Sequence, residues 1–194
     1  MKAVFASRNA HKLEQVAVLL PDVDLLRLDD VAPGLRLDEP FDTFRDNALA
    51  KARTVVNVTG QAAIADDSGL EVEALGGRPG VVSARYAGVG ASDADNNRKL
   101  VAELSQLPAE ARACRYRCVA VFVSPEGEEL VAEGTCEGHV VLEGRGDLGF
   151  GYDPYVVPDG DSRTMGEIPL DEKLRFSHRA RAFRELRQRL ERQR

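Results

Sequence analysis

The amino-acid sequence predicts an α/β fold with a mixed central β-sheet flanked by helices. Two observations support this prediction: short apolar segments typical of strands alternate with segments of helical periodicity, and one long hairpin interrupts the alternation. A chain of 194 residues, 43% of them hydrophobic, is long enough to bury a sizeable core. We therefore expect residues 1–194 to form a single domain or two tightly joined lobes.

The first elements are a strand and two helices. Ala3–Ala6 is a short apolar strand, and a polar turn leads from it into a helix from His11 to about Leu20. A second helix is predicted to begin after Thr43, a residue type favoured at the N-cap, and to end at Gly60.

The middle of the chain continues with a strand, a turn and a third helix. Ala62–Ala65 is predicted to be a short strand that leads into Asp66–Gly69, a turn by composition. A glycine-rich loop follows at 76–90, and the third helix begins at Ser92.

The C-terminal half contains the hairpin. Tyr116–Val123 and Leu130–Leu142 are predicted to be its strands, with the turn at Ser124–Gly127. A short strand at Tyr155–Val157 follows, and the last helix starts near Ser177.

Composition and charge exclude several classes of protein. An ordinary globular composition, with 30% charged residues, argues against whole-chain disorder, collagen or coiled coil. No apolar stretch approaches the roughly 20 residues of a membrane span, and the N-terminus becomes polar too soon for a signal peptide. The net charge of −6 gives no support to nucleic-acid binding, and three cysteines predict reduced thiols and a cytoplasmic location.

Arginine is the usual cation of this chain, so an arginine-rich stretch is weak evidence for a site. The lysines are few: Lys2, Lys12, Lys51, Lys99 and Lys173.

The turn Ser7–Lys12 is a candidate anion site, because it joins a strand to a helix N-terminus. Free backbone N–H groups and the helix dipole favour an anion there, and Arg8 and Lys12 add positive charge. The alternative is an ordinary polar turn, and the glycines of a Walker loop are absent.

Glu39, Asp66 and Asp67 are the acidic candidates. Consecutive residues in extended chain point in opposite directions, so Asp66 and Asp67 are not expected to share one ligand. One of them together with Glu39 would suit Mg²⁺, which takes one or two protein carboxylates and completes its shell with water and phosphates. An Asx-rich turn that bonds its own backbone is an equal alternative.

Two further segments carry polar residues suited to a ligand. Asn47 and Lys51 lie four residues apart on one face of the second helix, for which a solvated face is the simpler interpretation. In Phe150–Asp153 an aromatic ring beside an acid could stack on a base and accept from its N–H edge, or could simply begin a strand.

The start of the last helix carries Lys173, Ser177, His178 and Arg179. Ser177 is explained as an N-cap, but cations at a helix N-terminus oppose the dipole, which favours a function for His178 and Arg179.

Taken together, these segments resemble the inosine triphosphate pyrophosphatase family, which hydrolyses non-standard purine nucleoside triphosphates. Each motif is modest alone, but their order along the chain is specific. The matching segments are Ser7–Lys12, Glu39 with Thr43–Ala52, Asp66–Leu70, Pro79–Gly88, Gly149–Pro154 and Ser177–Ala180.

The resemblance implies an elongated two-lobed domain with a substrate cleft between lobes, Mg²⁺ dependence and a homodimer. It implies that Glu39 and Asp67 hold the metal and that Asp67 is the catalytic base. The residues it implies for the triphosphate are Ser7, Arg8, Asn9, Ala10, His11 and Lys12, and it implies that Lys51 and Ser68 contact phosphate or substrate. Those it implies for the nucleoside are Phe150, Gly151, Tyr152, Asp153, Lys173, His178 and Arg179.

Two positions depart from the family pattern: Asp46 stands where glutamate is usual, and Leu174 where asparagine usually follows the lysine. Two other functions stay open. One is a Maf-like pyrophosphatase acting on pyrimidine or modified nucleotides, and the other is a regulatory module that binds nucleotides without turnover. An intact pair of carboxylates favours an enzyme, because a binding module would not need it.

Overall fold

The computed structural model describes residues 1–193, which divide into two compact units. Unit 1 comprises 1–67, 118–134 and 178–193, and unit 2 comprises 68–117 and 135–177. The strands are β1 (Lys2–Phe5), β2 (Asp24–Arg27), β3 (Ala63–Val72), β4 (Ala113–Val123), β5 (Glu129–Val140) and β6 (Val156–Pro158). The helices are α1 (Ala10–Leu19), α2 (Leu28–Val31), α3 (Phe44–Thr59), α4 (Asp93–Leu104), α5 (Leu170–Phe176) and α6 (His178–Glu191).

The six strands form one mixed sheet in the order β2-β1-β3-β4-β5-β6. β1 pairs in parallel with both β2 and β3, whereas β5 and β6 are antiparallel. The predicted α/β class with a mixed sheet is therefore confirmed. The cleft between two lobes and the single-domain organisation stay predictions. Within residues 1–193, no helix is both long and apolar enough to cross a membrane.

The predicted ends of α3 and α4 are confirmed by their caps. Thr43 Oγ1 accepts a hydrogen bond from the N–H of Asp46, and α3 ends at Gly60 in the left-handed conformation. Ser92 and Asp95 form a reciprocal capping box at the start of α4. These local signals fix where both helices begin.

The predicted turn at Asp66–Gly69 is wrong, because these residues continue β3 as far as Val72. Asp66 and Asp67 are both buried in this strand. Their side chains contact cations on other elements, so the tertiary environment overrides the turn propensity. The sequence analysis also missed β2, α2 and α5, which are short and lack a strong periodic pattern.

Each unit has its own buried apolar residues. Those of unit 1 include Phe5, Leu20, Leu28, Ile64, Phe183 and Leu186, all fully buried. The core of unit 2 includes Leu70, Leu100, Leu104, Met165 and Ile168, together with Cys114 and Cys136. Cys114, Cys118 and Cys136 are buried and form no disulfide, as expected of core thiols.

Helix α6 lies directly on the backbone of β5 at Gly134. A Cβ atom built on Gly134 would lie 2.2 Å from the carbonyl oxygen of His178 and 2.5 Å from the amide nitrogen of Ala182. Only glycine allows this approach, and the approach positions the first turn of α6, which carries His178 and Arg179.

We predict that Gly134→Ala lowers the free energy of unfolding by roughly 3 kcal/mol, because helix backbone must move to admit the methyl group. Gly60→Ala is the matched control: its Cβ meets open space, so it should cost only about 1 kcal/mol, from its left-handed backbone. Urea unfolding of both variants measures the difference. Equal losses in the two variants would contradict the close packing of α6 on β5.

Candidate active site

The turn Ser7–Lys12 joins β1 to α1 as predicted. Asn9 is the N-cap of α1: its Oδ1 accepts from the N–H of Lys12 at 3.1 Å, and its own N–H donates to Ser7 Oγ at 3.2 Å. Ala10 and His11 are exposed in a first turn whose sequence contains no acid. Positive charge and backbone donors therefore meet at this helix end, as an anion site requires.

Asp66 lies at the centre of a buried ionic cluster in unit 1. It is fully buried, and its Oδ2 lies 3.0 Å from Lys12 Nζ and 3.3 Å from Arg179 Nε. Arg179 Nη1 also donates to Gln15 Oε1 at 2.9 Å. Asp66 thus links α1 to the first turn of α6, and Gln15 is a contributor that the sequence analysis missed.

Asp67 points to a different set of partners, as strand alternation predicts. Lys51 Nζ lies 3.6 Å from Asp67 Oδ1 and donates to Glu39 Oε1 at 2.6 Å. Lys51 is buried on α3, and Glu39 is partly exposed. One ammonium group therefore brings together the two carboxylates that were predicted to hold a metal.

Burial and the neighbouring charges of this cluster bring the pKa of Asp67 close to neutral pH. Burial raises the pKa of Asp67 to about 6; Lys51 and Lys12 oppose this shift, and Glu39 adds to it. Burial also lowers the pKa of Lys51, but attraction to Asp67 and Glu39 outweighs burial and raises it overall. Lys51 therefore stays protonated, while Asp67 can exchange a proton near pH 6.

Asn47 and Lys51 do not form a solvated helix face, so that interpretation is wrong. Asn47 is fully buried, and Lys51 is 6% exposed. The Asn47 amide bonds both backbone groups of Phe41, accepting from its N–H at 2.9 Å and donating to its carbonyl at 3.0 Å. Asn47 therefore anchors the segment that carries Glu39, two residues earlier in the chain.

The donor set of Glu39 and Asp67 fits a Mg²⁺ ion. Both are carboxylates, the ligand type that Mg²⁺ prefers, and Mg²⁺ needs only one or two of them when phosphates and water complete its shell. Within residues 1–193, no group of three or more His, Cys, Asp or Glu side chains is placed to hold a metal. Glu39 and Asp67 therefore suit a hard metal ion that also binds a phosphate ligand. They do not suit a metal ion held by protein ligands alone.

In unit 2 the structure brings Asp153 and Lys173 together. Lys173 Nζ lies 2.9 Å from Asp153 Oδ2 and also donates to the carbonyl of Leu148 at 3.2 Å. Tyr116 donates its hydroxyl to Asp153 Oδ1 at 3.1 Å. These contacts fix the carboxylate of the segment that the sequence predicts to contact a nucleoside.

The other predicted residues lie in varied surroundings. Tyr152 is buried, and its hydroxyl donates to the carbonyl of Ser83 at 2.8 Å. Phe150 and Ser68 are half-buried, whereas Arg8 is exposed and donates to Asp29 at 2.7 Å. His178 is 7% exposed in the first turn of α6. The roles assigned to these residues stay predictions.

A family profile matches almost the whole chain: residues 3–189 fit the Ham1 family. The chain belongs to the Ham1 family. This membership confirms the resemblance that the sequence motifs predicted. A dITP/XTP pyrophosphatase of Geobacter sulfurreducens is 44% identical to this chain, covering 94% of this chain and 92% of that protein. A dITP/XTP pyrophosphatase of Mycobacterium bovis is 46% identical, with coverage of 94% and 91%.

Solved Ham1 structures have the same fold. The Ham1 protein of Staphylococcus aureus superposes with a TM-score of 0.90 at 34% identity, covering 100% of both chains. A nucleoside-triphosphatase/dITP/XTP pyrophosphatase of Mycobacterium abscessus gives a TM-score of 0.78 at 45% identity, covering 96% of this chain and 98% of that one.

We predict that ionised Asp67 destabilises the metal-free protein. Because its pKa is raised by folding, from 3.8 to about 6, the folded state holds the proton more tightly than the unfolded state. Its contribution is therefore favourable below about pH 4 and is lost as the pH rises through about 6, a change of about 2–3 kcal/mol. Asp67→Asn cannot ionise, so its Tm relative to wild type should rise between pH 4 and pH 7, measured by thermal unfolding without divalent metal.

Asp161→Asn provides a control of opposite sign. The hydrogen bonds of Arg163 lower the pKa of Asp161, so ionised Asp161 stabilises the fold, and this contribution is lost only as the pH falls below about 4. The Tm of this variant should therefore lie below that of wild type by a nearly constant difference between pH 4 and pH 7. A flat or falling difference for Asp67→Asn would contradict the raised pKa.

Proposed function

We propose that this protein hydrolyses non-standard purine nucleoside triphosphates, such as dITP, ITP and XTP, to the monophosphate and pyrophosphate. The observation that carries the proposal is the pairing of Glu39 and Asp67 around the buried ammonium of Lys51. A binding protein would have no need of a buried carboxylate whose pKa is raised to about 6. The names of the Ham1 relatives support the substrate class.

In this proposal Glu39 and Asp67 would hold Mg²⁺. When bound, the ion offsets the negative charge of the phosphates and of the reaction's transition state. Lys51 keeps the two carboxylates together before substrate binds.

Asp67 is proposed as the general base. A pKa near the working pH suits a group that must be ionised before reaction and must then accept a proton. Asp67 takes a proton from water as the water oxygen bonds to the α-phosphorus. The bond from that phosphorus to the bridging oxygen of the β-phosphate breaks, and pyrophosphate leaves.

The phosphates are proposed to contact the turn Ser7–Lys12, Lys51 and Ser68. The first of these offers backbone donors at the N-terminus of α1, with Lys12 beside them. The chain is acidic overall, with a net charge of −6, but the substrate responds to this local field. Salt bridges from Asp66 hold Lys12 and Arg179 in place.

The nucleoside is proposed to contact Phe150–Asp153, Lys173, His178 and Arg179. The 6-oxo group of hypoxanthine and xanthine accepts a hydrogen bond where the 6-amino group of adenine donates one, so a fixed donor discriminates between them. Arg179 and His178 are the proposed donors. Arg179 would share its guanidinium between the base and its bonds to Asp66 and Gln15. A cytoplasmic location stays a prediction.

The deciding experiment incubates the protein with Mg²⁺ and dITP, XTP, ITP, or each common nucleoside triphosphate, pyrimidines included. Pyrophosphate is assayed separately from orthophosphate. We expect pyrophosphate alone, with the non-standard purines preferred by about 100-fold or more in kcat/KM. Asp67→Asn should lose roughly 10³-fold or more of the turnover, because an amide is neither a base nor a good metal ligand.

Asp30→Asn is the matched control, since it makes the same change at an exposed acid on α2 and should leave turnover unchanged. Near-normal turnover by Asp67→Asn would overturn the proposed mechanism. A preference for pyrimidine nucleotides would favour the Maf-like activity, and binding without turnover would favour a regulatory module.

We also propose a homodimer, on the resemblance alone. Light scattering should give about twice the chain mass of 21.2 kDa, and a monomer mass at micromolar concentration would refute the proposal.

A further inference from the structure

Two side chains of α4 hold both backbone polar groups of Gly151. The N–H of Gly151 donates to Asp93 Oδ2 at 2.7 Å, and its carbonyl accepts from Asn97 Nδ2 at 2.9 Å. Asp93 and Asn97 are four residues apart and therefore share one face of the helix. Together they clamp Gly151, which has a left-handed backbone with a φ of 64°.

The buried amide of Asn97 is unfavourable for the stability of the fold. It is 6% exposed, and its Oδ1 is buried without a hydrogen-bond partner among the described residues. Leaving such an acceptor unsatisfied destabilises the folded state. Stability alone would favour an apolar side chain here, so the amide is better explained by the bond it donates to Gly151.

The residues around Phe150 are held by specific contacts. The space where Gly149 would carry a Cβ is filled by Asp153 Oδ2 at 2.0 Å and Lys173 Nζ at 2.6 Å, and Tyr152 bonds Ser83. A cavity of about 570 Å³ is lined by α4 and this loop. Beside this cavity the two hydrogen bonds to Gly151 connect α4 to the residue that follows Phe150.

We propose that Asp93 and Asn97 are positioning residues for nucleoside recognition: by fixing Gly151 they hold the ring of Phe150 where it can stack on the base. The inference rests on the proposed function, in which Phe150–Asp153 contact the nucleoside. Loss of the clamp weakens the binding of substrate and transition state alike, so it raises KM and leaves kcat nearly unchanged.

The test compares Asn97→Leu with wild type. Leucine has a similar shape but cannot donate to Gly151. We expect the KM for ITP to rise about fivefold to tenfold with kcat within about twofold. The inhibition constant of inorganic tripolyphosphate, which has no base, should stay within about twofold of wild type. Because the unsatisfied Oδ1 is removed, the Tm should change little.

Asp93 supplies an independent pair of variants. Asp93→Ala removes the acceptor for the N–H of Gly151 and should raise the KM for ITP, whereas Asp93→Asn keeps an acceptor oxygen and should restore a KM near that of wild type. Recovery by this conservative change would not be expected if Asp93 only stabilised the start of α4.

Asn96→Leu is the matched control, because it makes the same change one position earlier. Asn96 is buried, and its amide accepts from the N–H of Ala87 and donates to the carbonyl of Ala84. This variant should lower the Tm. Any change in its KM for ITP should be matched by an equal change in the inhibition constant of tripolyphosphate.

Wild-type turnover of ITP tests the proposed function, and the variants test the clamp. If wild type turns over ITP but Asn97→Leu has an unchanged KM, the positioning role is overturned while the proposed function stands. An equal rise in the inhibition constant of tripolyphosphate, or the same pattern in Asn96→Leu, would also overturn it. If wild type does not hydrolyse ITP, the proposed function and the inference both fail.

Discussion

Two consecutive aspartates in a buried strand impose the main constraint on unit 1. Alternation along β3 sends the side chains of Asp66 and Asp67 in opposite directions, so each needs its own cation. Lys12 and Arg179 form salt bridges with Asp66, and Lys51 forms one with Asp67. These cations come from α1, α6 and α3, so satisfying the two carboxylates also fixes the helices around the strand.

Such an arrangement is not expected to maximise stability. Removing ionised groups from water costs several kcal/mol for each ion, and apolar residues of similar size often stabilise a core better than a buried ion pair. The same burial gives Asp67 a pKa of about 6 and keeps Lys51 protonated. The feature that weakens the fold therefore prepares Asp67 to accept a proton near neutral pH.

Local signals in the sequence predicted the parts of the fold that depend on local chemistry. The caps at Thr43 and Ser92 and the N-terminus of α1 follow from neighbouring residues, so the pattern reveals them. The continuation of β3 through Asp66 could not be predicted in this way, because one of its partners, Arg179, is 113 residues away.

The residues of the candidate site also divide into those that the sequence predicts and those that only the folded structure reveals. Charged residues in recognisable motifs were predicted as site residues. Gln15 was missed, and for Asn47, considered together with Lys51, a solvated face was the simpler interpretation, because the partners of both amides are brought close only by folding. A buried amide on a helix has no sequence signal that separates it from a solvated one. The pairing of Asn47 with the backbone of Phe41 is visible only once the chain is folded.

The small number of lysines in this chain has a practical consequence for handling the protein. Lys12, Lys51 and Lys173 each contact a carboxylate, and the last two are buried. Amine-directed dyes and coupling resins react with exposed, unprotonated amines, so these three are shielded. Lys2 and the N-terminal amine are exposed, and both belong to the first two residues of the chain. Lys99 is half-buried, donates to the carbonyl of Tyr86 and lies over the Tyr86 ring. Amine coupling would therefore favour the amines of Met1 and Lys2 over the other lysines.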